Sequence, residues 1–575
     1  MEASLTASRV EVEPSRVENT NVDQKPVYEA KLGGITNTYR EVISNSFSPS
    51  QASFSCNPPS PNTLVDRRVY LKVPVTVDFT GVSGSGNLLQ ANRDAFRAFP
   101  LASIIDNLQV TINNTKLTIE SSEVIHELMR FYGEPREQEH LSGSPCFMDQ
   151  SQEYSQLALS NRNPLARYGE KGDGQPGRGG YPYTVYTNTS TTAQVQAVLT
   201  EPLVISPLLF GGHDAKGLVN VQNMSVQINW SPNASRIWSH DSTANTINSI
   251  QVSFGRPSLL FNYITPSPTM SIPDVCDYQF QDVEVYTSEL GSALTPGQSA
   301  QINSSNIQLN VIPSHLLVYV KKRRNDRTFE DTDSYLPISS LDMNFANVSG
   351  MFSGASQEQL YNLYRDNGGN QSWSEWSAQP MYATNGLTDT VVKGPGGILC
   401  LKFGKDIALQ DPSLAVGVPG TFNLQLRCTV SNERDADVSP TLYVVPIYEG
   451  ILSLSMNQAV QQLSVLSQED ILAAAKKANN EGAMSSEGGK IMGDIASGFK
   501  KALPWIRRAR KVGQAVSGAI PQPQAQAVKA ALDVAEELGL GEGGMMHGGT
   551  LVGGTAVGGK KMSRDAMRRK LLKNM

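Results

Sequence analysis

Pro100–Val110 (PLASIIDNLQV) followed by Ser122–Gly133 (SEVIHELMRFYG) returns later in the chain as Pro337–Phe345 (PISSLDMNF) followed by Gln357–Gly368 (QEQLYNLYRDNG). Glu123 aligns with Glu358, Ile125 with Leu360, Leu128 with Leu363 and Arg130 with Arg365 at one constant offset. Flanking segments follow in the same order. Arg67–Val75 (RRVYLKVPV) precedes the first block as His315–Lys322 (HLLVYVKK) precedes the second, and Met224–Asn233 matches Leu424–Asn432. Each half then closes on an apolar segment, Ser258–Pro266 (SLLFNYITP) and Thr441–Tyr448 (TLYVVPIY). Several blocks in one order indicate an internal duplication, which is looked for before any other organisation is read.

The segments around these blocks alternate apolar and polar residues with β-branched enrichment. Arg68–Phe79, Asn107–Ile119 and Val219–Trp230 all read as half-buried strands. Gly-, Pro-, Asn- and Ser-rich stretches separate them, including Gly169–Gly180 (GEKGDGQPGRGG). Each repeat has room for about eight strands of ordinary length, and eight strands in two packed sheets make a jelly roll. The expected fold is therefore all-β, two tandem eight-stranded jelly rolls. Short helical inserts sit at Ser122–Gly133 and Gln357–Gly368, and a helical, then disordered, basic C-terminal tail follows. The expected boundaries are a flexible arm over 1–50, a first roll over 51–270 and a second over 271–455. A helical amphipathic segment over 456–540 and a Gly-rich linker with a basic peptide over 541–575 complete the chain.

Composition narrows the function. Of 575 residues 18% are charged and 39% hydrophobic, both below globular averages and in keeping with a loop-rich β protein. No run of eighteen apolar residues is present, and the polar, acidic start has no apolar signal-peptide core. The five cysteines are single and scattered, suggesting neither a disulfide framework nor a zinc site. The six histidines show no HxH or HExxH spacing, and the glycine loops Gly81–Asn87 and Gly394–Gly397 lack a following GK[ST]. His213 and His240 lie beside Asp214 and Asp241, a pattern expected of ordinary loop hydrogen bonding. No catalytic, metal or cofactor residue is assigned, and the protein is expected not to be an enzyme. Charge is unevenly shared: Glu481–Met575 carries +7 of a net −6, leaving −13 on residues 1–480. An acidic body disfavours nucleic acid on its outer surface, whereas a basic appendage can reach phosphate or anionic lipid.

Phe54–Phe79 (FSCNPPSPNTLVDRRVYLKVPVTVDF), Asn87–Asn113 (NLLQANRDAFRAFPLASIIDNLQVTIN) and Arg236–Asp241 (RIWSHD) resemble the opening jelly roll of viral capsid proteins. The likeness is to double jelly-roll major capsid proteins of small DNA viruses, such as virophages and polinton-like viruses of the adenovirus lineage, over roughly residues 50–455. The resemblance implies a capsomer: a homotrimer of pseudo-hexagonal outline tiling an icosahedral shell around a DNA genome. Its implied partners are neighbouring capsomers, penton and minor capsid proteins, and its place is the virion, assembled inside the host cell. A carbohydrate-binding β-sandwich is the second reading, with Trp373 and Trp376 as a stacking pair.

The tail departs from the two-roll pattern. Ser467, three residues before Asp470, opens an Ala-rich helix as a capping box. In Asp494–Ile520, Ile495, Phe499 and Leu503 share a face, and Lys500, Lys501, Arg507, Arg508, Arg510 and Lys511 form a basic cluster. Pro504 breaks the helix beside Trp505. Such a stretch suits an internal membrane, genomic DNA, or packing on the shell wall, and the sequence leaves these open. Gly541–Lys561 is a glycine linker. In it, Met546–Gly549 before Thr550 and Leu551–Gly554 before Thr555 resemble sites cut by adenovirus-type viral maturation cysteine proteases. Leu209–Gly212 fits the same pattern inside the body. The last stretch, with Arg568, Arg569 and Lys570, reads as a basic arm facing the genome.

Overall fold

In the computed structural model, the described residues are 9–12, 28–31 and 36–464, apart from 61, 91–92, 133–142, 147, 157–183, 209–216, 267–271, 386–387, 412 and 457. The first half contributes β1 (Thr36–Ile43), β2 (Gln51–Ser55), β3 (Tyr70–Ser83), β4 (Ile105–Ile112), β5 (Thr115–Ile119), α1 (Ser121–Tyr132), β6 (Thr192–Pro202), β7 (Met224–Trp230) and β8 (Ser258–Thr265). The second half contributes β9 (Val275–Val283), β10 (Ser299–Asn303), β11 (His315–Lys322), β12 (Ile338–Phe345), β13 (Val348–Met351), α2 (Gln357–Asp366), β14 (Leu399–Lys402), β15 (Pro419–Ser431) and β16 (Pro440–Ser455).

Pairing confirms the duplication strand by strand. The first half builds sheets of order β6-β3-β8-β1 and β5-β4-β7-β2; the second builds β14-β11-β16-β9 and β13-β12-β15-β10. Adding eight to each number in the first pair of sheets yields the second pair. Each set is two antiparallel sheets face to face, the jelly roll, with the four named strands of each sheet extended by further strands to seven and five in the first half and six and five in the second. The blocks quoted at the outset are β4 and α1 against β12 and α2, and all flanking segments occupy equivalent places. Even the turn repeats: Asn113 (φ 52°) and Ala346 (φ 51°) open the two-residue connections between β4 and β5 and between β12 and β13.

Alternation places the core. Leu71, Val73, Val75, Val77 and Phe79 of β3 face Val226, Ile228 and Trp230 of β7 across the first roll, all buried. Leu424, Leu426, Cys428 and Val430 of β15 do the same in the second. Both β11 and the stretch 440–448 of β16 are buried on both faces, which explains their nearly continuous apolar sequence. Their outer face is covered by the first roll, chiefly by α1. That helix is buried along most of its length, whereas its repeat α2 buries only Leu360 and Tyr364.

Three expectations change. Residues 36–48 hold strands, not arm: β1 is an edge strand whose side chains are mostly exposed, so its backbone pairing to β8 leaves no apolar alternation to read. Asn107–Ile119 is a hairpin, not one strand, because the Asn113–Asn114 turn keeps the alternation in phase. Past Met456, Gln458–Gln462 is a strand on β16. The Gly169–Gly180 loop lies outside the described residues.

Ala346 is exposed and sits in the left-handed region, which costs a non-glycine residue about 1–2 kcal/mol. Ala346→Gly is expected to raise stability by about 0.5–1 kcal/mol once the extra entropy that glycine gives the unfolded chain is set against the relieved strain. Thermal unfolding reads this, and an unchanged or lowered midpoint would contradict it.

Candidate functional site

The residues that decide how this chain presents itself lie where the rolls meet. After β11 the chain enters Arg323–Tyr335 (RRNDRTFEDTDSY), a loop dense in both charges that crosses onto the first roll. Asp333, in this loop, is buried. Arg97 Nη1 donates to its Oδ2 at 2.7 Å, and Arg236 Nη2 donates to its Oδ1. Arg97 is fully buried; its Nε donates to the Arg236 carbonyl at 2.7 Å and its Nη2 to that of Asp331 at 2.9 Å. The Asp333 amide donates to Asp149 Oδ2 at 2.8 Å. Burial pushes the Asp333 carboxyl up, but the permanent cations Arg97 and Arg236 outweigh it and hold it well below the usual range.

A second set of charges runs beside α1. Glu123 receives Arg327 Nη1 and Arg324 Nε at 3.2 Å each. Burial works against its ionisation, yet Arg327, Lys321 and Arg324 bring its pKa down to about 2. Glu127 pairs with Lys321 and accepts from the Tyr335 hydroxyl at 2.9 Å. Asp331 takes Arg434 at 2.8 Å and Lys322 at 2.9 Å; again burial opposes ionisation and these cations lower its pKa to about 2. Tyr319 stacks on Tyr443 with ring centres 5.0 Å apart, and its hydroxyl donates to the Glu123 carbonyl.

At the opposite end the rolls meet through amides. Asn113 Nδ2 shares its donors among the carbonyls of Asn220, Ser455 and Gln458 at 3.0–3.4 Å, while its Oδ1 accepts from the Gln222 amide at 2.9 Å. Asn220, also at positive φ (58°), donates to the Pro273 and Asp274 carbonyls. The Ala459 amide reaches Asn114 Oδ1 at 2.7 Å.

The residues singled out from sequence fare differently. Lys500, Lys501, Trp505, Arg507, Arg508, Arg510, Lys511, Gly549, Thr550, Gly554, Thr555, Arg568, Arg569 and Lys570 lie outside the described residues, as do His213 and Leu209–Gly212. His240 is buried and pairs with Asp94 at 2.7 Å rather than Asp241, which takes Arg93. The tryptophan pair is not a sugar platform: Trp376 is 2% exposed, donates its indole N–H to the Ile398 carbonyl and packs in one aromatic cluster with Tyr361, Tyr364 and Trp373. Gly397 lies where any β-carbon would enter the Trp376 ring. The five cysteines are free thiols. Among the described residues no group of acidic, His or Cys side chains could hold a metal ion. Sequence reading missed Arg97 and Asp333 altogether, because a charged loop and an arginine in an apolar stretch read as solvated until the rolls are brought together.

Two jelly rolls of identical topology, joined through a buried interface, define a double jelly-roll protein. The family model described as Sputnik virophage major capsid protein 1st domain matches residues 8–264, and that of the major capsid protein V20 C-terminal domain matches 284–450. The chain is 36% identical over 528 residues to capsid protein V20 of Sputnik virophage, covering 86% of this chain and 88% of that one. It superposes on a chain of the Sputnik virophage cryo-EM structure with a TM-score of 0.72 at 36% identity, covering 81% of this chain and 95% of that one. The mavirus major capsid protein shares the fold, with a TM-score of 0.66 at 19% identity over 80% of this chain and 99% of that one. The chain belongs to the virophage major capsid proteins, and the carbohydrate-binding alternative falls with that finding.

Removing one partner of a buried ion pair typically costs about 3–5 kcal/mol, since the other charge is left uncompensated. Asp333→Asn is expected to lose stability on that scale, read by chemical denaturation. A loss under about 1 kcal/mol would place the carboxylate among exposed pairs of little worth.

Proposed function

We propose that the chain is the shell-building capsomer of its virion: a homotrimer of double rolls, six rolls giving a pseudo-hexagonal outline, packed against like capsomers and against penton and minor capsid proteins. The role is structural rather than catalytic. The observation that carries the orientation is where the chain enters and leaves the body. Thr36 pairs with Thr265, Val275 with Ser455, and Asn113 bonds to Ser455 and Gln458. The start of β1, the crossing between rolls and the last strand therefore share one end. Antiparallel pairing puts Ser83, Ile105, Ile119, Thr192, Lys322 and Leu399 at the other.

A body in which the start of β1 and the end of β16 share one end suits a shell in which that end faces the contents and the opposite end faces outward. Under this reading the basic tail lies inside, where Lys500, Lys501, Arg507, Arg508, Arg510 and Lys511 with Trp505, and then Arg568, Arg569 and Lys570, meet genomic DNA or an internal membrane. Phosphate neutralisation is the shared chemistry. Cleavage after Gly549 or Gly554, before Thr550 or Thr555, by a viral maturation cysteine protease would release the terminal basic peptide.

Mass photometry of the purified chain is expected to show particles of three times 62.3 kDa, or larger closed shells; a persistent monomer would count against the trimer. Intact-mass analysis of mature particles is expected to give a chain shortened at Gly549 or Gly554. A single species of 62.3 kDa would remove the processing step.

A further inference from the structure

The two ends of the roll–roll junction are built from different chemistry. At the loop end Asp333, Arg97, Arg236, Asp149 and His126 are buried together. At the end where β1 begins and β16 finishes, bonds across the junction come from the neutral amides of Asn113, Asn114 and Asn220, from the Thr115 hydroxyl, and from the Tyr278 hydroxyl, which accepts from the Val219 amide and donates to the Gly217 carbonyl beneath the Arg67 guanidinium. Neutral amides do not titrate between pH 4 and 7, whereas a histidine held against a charge cluster does.

His126 is the group on which that difference turns. It lies on α1 and is buried. Its Nε2 is 3.0 Å from Ser103 Oγ and 3.5 Å from Asp333 Oδ2. Ser103 Oγ spends its own proton on the Ala98 carbonyl, so Nε2 carries the ring hydrogen and donates to Oγ. That leaves Nδ1 as the bare nitrogen, buried and with no hydrogen-bond partner. The charged groups facing the ring are Asp333 and Lys321 from the second roll, and Glu127 and Arg97 from the first; the Phe99 ring closes the remaining side. A proton added at Nδ1 would create a buried N–H without an acceptor and a further cation beside Arg97 and Lys321.

We propose that the double roll is a hinge closed by an acid-released latch: the amide contacts of Asn113, Asn114 and Asn220 are the hinge, and the ionic cluster around Asp333 and His126 is the latch. Burial first, with Lys321 and Arg97 adding to it, pushes the His126 pKa down to about 4 against the pull of Asp333. The open state, with an ordinary imidazole, therefore takes up the proton first. The closed junction is fully favoured above about pH 6.5 and loses ground as the pH falls toward about 4. Opening parts the loop ends while the terminus ends stay joined.

Hydrogen exchange read by mass spectrometry on the full-length protein at about pH 7 and about pH 4, corrected for intrinsic exchange rates, tests this. The expected result is a loss of protection of roughly tenfold or more in peptides holding Arg97–Ser103 and Asp331–Tyr335, with peptides holding Asn220–Met224 and Leu452–Ser455 unchanged. Simultaneous loss at both ends would overturn the hinge, and no loss at either would overturn the latch. His126→Gln, which keeps a donor toward Ser103 but has no titrating nitrogen, is expected to abolish the acid response. A response that survives in this variant assigns the release elsewhere and overturns the role of His126. Asp333→Asn is expected to open the loop end already at about pH 7. If that variant fails to fold, the His126→Gln comparison decides by itself.

Discussion

A carboxylate taken out of water must be repaid by cations and hydrogen bonds in good geometry, or it will not stay ionised. Asp333 meets that condition only when both rolls are in place. Its guanidinium partners, Arg97 and Arg236, come from two different loops of the first roll, and its amide is held by a third through Asp149. Three separated segments of one half are thereby oriented around a single residue of the other. Replacing such a cluster by apolar side chains could be as stable, so its value lies in specifying one registration of the rolls.

That constraint accounts for how the two copies of the repeat have diverged. Both halves supply a strand, a tight hairpin and a helix in the same order, and the helices align residue by residue. Yet α1 is wedged between the rolls and α2 lies on the outside. Glu123, inside the junction, is bound by Arg327 and Arg324; its counterpart Glu358 is exposed and bonds only to its local Ser356 at the helix start. The same divergence marks the sheets: β3 keeps a clean inside–outside alternation, while β11 and β16 are apolar on both faces because one face covers the core and the other α1. Duplication supplied the architecture, and the junction selected which copy of each element became buried.

For a capsid protein this arrangement has mechanical meaning. The unit that tiles a shell is the pair of rolls, and both fall within one compact unit. A pair held at two ends by unlike chemistry can be rigid under one condition and compliant under another, without either roll unfolding. The barrel cores themselves are packed mainly from Val, Leu, Ile and Phe side chains.

The all-β class, the number of rolls, the equivalence of their strands and the division between an acidic body and a basic tail were all legible in the sequence. Each is written in local signals: period-two alternation, turn residues, repeated blocks and counted charges. The apolar runs at β11 and β16 stood in the sequence, but that both faces of those strands are covered was decided by the packing of the rolls. Edge strand β1 was invisible, since backbone pairing without side-chain burial leaves no pattern. Arg97 and Asp333 were equally silent, because they are more than two hundred residues apart in sequence and a charged side chain looks the same there whether it will be solvated or buried. Only the tertiary structure, by packing one roll's loop onto the other's helix, decided that these charges form the interior of a junction.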